Sequence, residues 1–207
     1  MIEFAVALLL WLLILAASTA VASLTAKKRA RKAGFAMQLT MFLLSLAVIE
    51  LIGGPGRFGF VPDFRYVPHA LILGFGTSLI LNLLEGNPSE PMPEFMPEGI
   101  ERFVLLLIFA PLGEEVFTRG LIEGYLLSYG HFWSAILFSA LLFALPHLMA
   151  FEGNRRRKAG IVTGAFILGS LAGYLFALGG ITPAIALHSS ANLAGLTVLK
   201  IKGKAED

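Results

Sequence analysis

Apolar runs of bilayer-crossing length recur from one end of the chain to the other, at about 4–24, 34–53, 67–85, 102–128, 132–152, 160–179 and 181–199. A hydrocarbon core about 30 Å thick needs about 20 apolar residues in a helix, and lipid tolerates only helices and closed barrels as spanning structures. The runs are about twice the length of a barrel strand. The sequence therefore predicts an all-α, polytopic transmembrane bundle of about seven spans with its functional site inside the bundle. No polar stretch between the runs is long enough to fold separately, so residues 1–207 read as a single integral membrane domain. Composition agrees, with 57% hydrophobic and 14% charged residues against roughly half and a quarter in soluble domains.

The basic residues set an orientation. With the amino terminus outside, the cluster Lys27, Lys28, Arg29, Arg31 and Lys32, the cluster Arg155, Arg156, Arg157 and Lys158, and the tail lysines Lys200, Lys202 and Lys204 all fall on the cytoplasmic side, with Arg57 and Arg65 outside. The net charge of +2 gathers beside apolar runs, which suits membrane orientation and argues against nucleic acid as a partner. Ala20-Val21-Ala22-Ser23 resembles a signal-peptidase site, but the segment before the first run lacks positive charge, so that run is expected to stay as a helix. Cysteine is absent, which removes disulfides, thiolate metal sites and cysteine nucleophiles together.

Against this apolar background, charges inside a span stand out, because an ionised group at the bilayer centre costs at least a few kcal/mol unless it is paired or functional. Ala110-Pro111-Leu112-Gly113-Glu114-Glu115-Val116-Phe117-Thr118-Arg119-Gly120 places three charges in the fourth run. Glu115 and Arg119 are one helical turn apart and form a natural ion pair, while Glu114 points about 140° away from Arg119 and is left to act. Glu123 lies one further turn on and could compete for the arginine. The fifth run ends in Phe143-Ala144-Leu145-Pro146-His147, and Pro146 should bend the helix just before His147. The last run carries His188 and Asn192 one turn apart, facing the same side. His69 and His131 fall at span ends and suit the interface; Gly53-Gly54-Pro55-Gly56 is a turn; Gly164, Gly169 and Gly173 suggest close helix packing.

These groups can supply peptide hydrolysis: Glu114 to take a proton from water, His147 to hold that water, and His188 with Asn192 to donate to the developing oxyanion. An aspartyl pair is impossible, because the only aspartates are Asp63 in a loop and the terminal Asp207. Gly-x-Ser-Gly and His-Glu-x-x-His are both missing. Zinc held by Glu114, His147 and His188 remains chemically reasonable.

At these residues the chain resembles the CAAX prenyl protease and bacteriocin-processing (CPBP) membrane proteins. The resemblance rests on Glu-Glu-x-x-x-Arg at Glu114, Glu115 and Arg119, Phe-x-x-x-His at Phe143 and His147, and His-x-x-x-Asn at His188 and Asn192, all within about residues 101–195. It implies a helical intramembrane endopeptidase, in one branch cleaving the last three residues of a prenylated CAAX protein. It implies Glu114 and His147 as water activators, His188 and Asn192 as the oxyanion hole, and Glu115, Arg119 and Phe143 as supports. No cofactor is expected on this reading, with zinc as the alternative. The expected partners are a peptide or protein substrate, prenylated or not, and membrane lipid. The expected cavity opens to the cytoplasmic side. A proton-coupled carrier using the same Glu and His as a relay, or a scaffold docking a partner through the acidic, Pro-rich 86–99 loop, would be the rival readings.

Overall fold

The computed structural model describes residues 1–84, 96–150 and 155–203, and among them the chain is helical without a strand. The helices are α1 (Ile2–Arg29), α2 (Ala33–Ile52), α3 (Val67–Leu84), α4 (99–127), α5 (Phe132–Ala144), α6 (Arg155–Gly179) and α7 (Ile181–Gly203), with a short helix His147–Ala150 after α5. Glu90 and Glu94 of the acidic loop lie outside the described residues. Its last glutamate, Glu98, meets Arg31 at 3.1 Å, and Glu101 just beyond meets Lys32 at 2.7 Å.

Among the described residues five stretches are long and apolar enough to cross a membrane: Ile2–Ile52, Val67–Leu84, Phe132–Met149, Arg155–Gly179 and Ile181–Ile201. Seven runs were expected, and the two counts part at identifiable places. Ile2–Ile52 covers 51 residues, more than twice a bilayer crossing. It breaks where Arg29 leaves the helical region (φ −151°, ψ 78°) and a tight Ala30–Lys32 turn follows. Ala7, Trp11 and Ile14 of α1 then pack in one core with Met41 and Ile49 of α2. The other difference is α4, which is less apolar than its neighbours because Glu114, Glu115, Arg119 and Glu123 lie within it.

α4 is the central rod. All of residues 115–124 are buried, covered by α1 and α2 on one side and by α5, α6 and α7 around the rest. The outward faces of the surrounding helices carry Leu12, Leu13, Leu51, Ile72, Leu84 and Trp133 exposed. Such a surface is stable against acyl chains and costly against water.

Lipid is as apolar as leucine, so close backbone approach and dispersion replace the hydrophobic effect in holding such helices together. Gly74 of α3 shows this, since a Cβ there would collide with the Leu187 carbonyl and the Ser190 hydroxyl of α7. Gly173 of α6 lies under the Glu123 carboxylate, and Gly169 lies against Phe143, Ala140 and Arg119. Gly164, expected in the same role, has only Leu81 Cδ1 at 3.5 Å from its would-be Cβ, an ordinary contact. Gly74→Val is therefore expected to destabilise the bundle by about 1–3 kcal/mol, as overpacking does, and Gly164→Ala to be silent. Thermal unfolding in detergent distinguishes the two.

The connections are short and pinned. Gly180 joins α6 to α7 at φ +73°, a left-handed conformation, and a Cβ there would also meet the carbonyls of Gly59 and Val61 at 2.6 Å. In the 59–66 loop, Arg65 grips Asp63 through Nη2 at 2.6 Å, and this hydrogen bond holds the Asp63 carboxyl below the usual carboxylate range.

Candidate active site

The site begins with a proline. Pro111 has no N–H to give to the preceding turn of α4, and residues Leu105–Phe109 just before it widen into a π-helical turn. Such turns recur where a helix serves a functional site. The carbonyls concerned are served from α7 instead: Asn192 Nδ2 donates to the Leu106 oxygen at 2.7 Å, and Ser189 Oγ to the Leu107 oxygen at 3.0 Å. Side chains of a neighbouring helix thus satisfy backbone groups that lipid could not.

One turn later stand the two glutamates. Glu114 is partly exposed, its side chain 23% accessible. Its Oε1 accepts a hydrogen bond from Gln38 Nε2 of α2 at 2.7 Å, and its Oε2 lies 3.9 Å from His188 Nε2. A separation of 3.9 Å is too long for a direct hydrogen bond. A water offset to one side can reach both atoms.

Glu115 is buried and joins two partners. Its Oε1 accepts from His188 Nδ1 at 2.8 Å, and its Oε2 lies 3.2 Å from Arg119 Nε. The expected pairing of Glu115 with Arg119 is present, but Glu115 also orients the imidazole that faces Glu114. With Nδ1 engaged, His188 turns Nε2 toward Glu114.

Arg119 is fully buried. It donates to Thr118 Oγ1 at 2.5 Å and to the Gly169 carbonyl at 3.1 Å, and its guanidinium lies 4.7 Å from the centroid of Phe143. Phe143 is shared among the site residues, since its ring also meets His188 edge-on at 5.6 Å and His147 at 5.2 Å. Glu123 does not take the arginine from Glu115; its hydrogen bond comes from Ser139 Oγ at 2.6 Å.

The expected bend at Pro146 is realised as a break. α5 ends at Ala144, and the chain turns helical again at His147. His147 Nδ1 lies 3.0 Å from the Phe143 carbonyl oxygen, so in that tautomer Nε2 is the acceptor. His147 and His188 both lie against the Phe143 ring, at 5.2 and 5.6 Å between centroids.

The structure thus brings Glu114, Glu115, Arg119, Phe143, His147 and His188 into one constellation. Asn192 stands at its edge with one amide hydrogen committed to backbone. Two residues escaped the sequence reading: Gln38, a lone amide in an apolar run, and Ser189, whose partner is a carbonyl. The proline inside a span was the available signal for Ser189. A cavity of about 190 Å³ also exists, lined by Arg57, Phe58, Gly124, Leu127 and Phe176 among others, but no residue of the constellation lines it.

No curated protein and no solved structure matches the chain. A family model does match: residues 97–194 fit the description "Type II CAAX prenyl endopeptidase Rce1-like". The matched segment contains every residue of the three motifs, from Glu114 to Asn192. The apolar helices and this similarity both fit an integral membrane protein. Residues 97–194, just under half of the chain, are thus similar to the Rce1-like type II CAAX prenyl endopeptidases, in keeping with the CPBP resemblance of the three motifs.

Proposed function

We propose that this protein hydrolyses a peptide bond inside the membrane with a water activated by Glu114. The observation that carries the reading is the 3.9 Å gap between Glu114 Oε2 and His188 Nε2, two groups each held from behind by a separate partner, Gln38 and Glu115. Glu114 takes a proton from water as the water oxygen bonds to the scissile carbonyl carbon. His147 holds that water through Nε2. The carbonyl oxygen becomes an oxyanion and accepts hydrogen bonds from His188 Nε2–H and from the second amide hydrogen of Asn192. With both nitrogens donating, His188 carries a positive charge that Glu115 balances at 2.8 Å. Collapse breaks the C–N bond, and the proton held by Glu114 passes to the leaving nitrogen.

Zinc held by Glu114, His147 and His188 is the alternative reading of the same residues. Among the described residues no group of three His, Asp or Glu side chains has the arrangement to hold a metal, while the Glu115 bond to His188 Nδ1 leaves Nε2 open to a ligand. The proposed substrate is a peptide or protein carrying a prenylated CAAX-type end, reaching the site from a cavity on the cytoplasmic side, with the amino terminus outside.

The test is purified protein in lipid nanodiscs with a panel of CAAX peptides, prenylated and bare, and product masses read by mass spectrometry. Removal of the carboxy-terminal tripeptide is expected, lost in His188→Ala and His147→Ala and unchanged by a zinc chelator. Chelator inhibition rescued by zinc would replace the metal-free mechanism. Solute transport without any cleavage would overturn the peptidase reading.

A further inference from the structure

Gln38 lies in α2, outside the segment 97–194 that matches the family. Yet it gives the Glu114 carboxylate a 2.7 Å hydrogen bond. We propose that Gln38 is the positioning residue for Glu114, so that the catalytic apparatus extends beyond the matched segment into the amino-terminal hairpin. The proposal rests on Glu114 as the base.

Three observations carry it. A glutamate side chain on a helix has several rotamers, and tying Oε1 to α2 leaves Oε2 toward His188 Nε2 at 3.9 Å. The amide that does the tying is itself fixed. It rests on Gly113, where a Cβ would fall 2.5 Å from Gln38 Oε1 and 2.7 Å from the Gln38 carbonyl oxygen. Glycine at 113 is therefore what lets α2 bring its amide beside Glu114.

The third observation is what this arrangement costs. Gln38 is buried, and among the described residues its Oε1 has no hydrogen-bond partner. An unmet buried acceptor is unfavourable, and leucine would fill the same space between two spans without it. The N–H delivered to Glu114 is the compensating gain. A neutral amide also suits a base better than Lys or Arg would, because it orients the carboxylate without neutralising it.

The test uses the full chain in the same cleavage assay, with thermal unfolding measured in parallel. Gln38→Leu is expected to lower kcat about 10–100-fold, the size of effect a misplaced catalytic group produces, with KM within about threefold and no loss of thermal stability. Gln38→His, which keeps an N–H near the same place on a flat ring, is expected to recover most of the loss. Gly113→Ala should lower kcat similarly by displacing the amide, and should add less than about threefold when combined with Gln38→Leu. Wild-type kcat in Gln38→Leu, or losses that multiply in the double variant, would overturn the proposal. Should Gln38→Leu fail to fold, kcat of Gly113→Ala decides by the same criterion. Glu114→Ala separates the two possible failures. If it still cleaves, the base assignment fails; if it does not cleave while Gln38→Leu does, only the role of Gln38 fails.

Discussion

Glu114→Ala is expected to lower kcat for peptide cleavage by roughly 10²–10⁴-fold, the usual contribution of a positioned acid–base group, while leaving the bundle close to its original stability. The two halves of this expectation come from one fact. The Glu114 side chain is 23% exposed and accepts its 2.7 Å hydrogen bond from a neutral amide, so its removal uncovers no buried counter-charge. What is lost is the acceptor opposite His188. Glu114→Gln keeps the shape but cannot take a proton, and it should be equally inactive. Progress curves for tripeptide release together with melting temperatures check both halves. Cleavage at a tenth of the wild-type rate or better in either variant would remove Glu114 as the base.

Arg119→Met is expected to do the reverse, costing about 3–5 kcal/mol of stability, because removing one partner of a buried ion pair strands the other. Arg119 and Glu115 are 0% and 1% exposed and 3.2 Å apart. The arginine also supplies the Gly169 carbonyl with a donor and packs on Phe143. The double variant Arg119→Met with Glu115→Gln should regain much of the loss, since no uncompensated charge remains and a glutamine oxygen can still accept from His188 Nδ1. Thermal unfolding of the single and double variants measures this recovery. A double variant no more stable than Arg119→Met would show that the pair is not what sustains this region.

The three motifs were legible because charge inside an apolar run is costly and therefore conspicuous. The Glu115–Arg119 pair followed from helical periodicity alone. Periodicity describes one helix at a time, however, and could not show that Glu115 also reaches across to His188 on α7. Gln38 was invisible for a different reason: Asn192 has His188 one turn away on its own helix, whereas Gln38 has only Gly34, Phe35, Met41 and Phe42 at that spacing. The separation of the first two spans could be read from the basic cluster at residues 27–32. The widening of α4 before Pro111 could not, because the partners that stabilise it, Ser189 and Asn192, come from residues more than 80 positions later.

That widened turn has a consequence for how the protein answers to bilayer thickness. Hydrophobic mismatch can be relieved by tilt, kinking or local thinning of the membrane. Sliding α7 along α4 by even one residue would detach both Asn192 from the Leu106 oxygen and Ser189 from the Leu107 oxygen. Those two bonds act as a vernier that fixes the height of His188 relative to Glu114. Thinner or thicker bilayers should therefore change the lean of the outer helices and leave the vertical alignment of the central pair untouched.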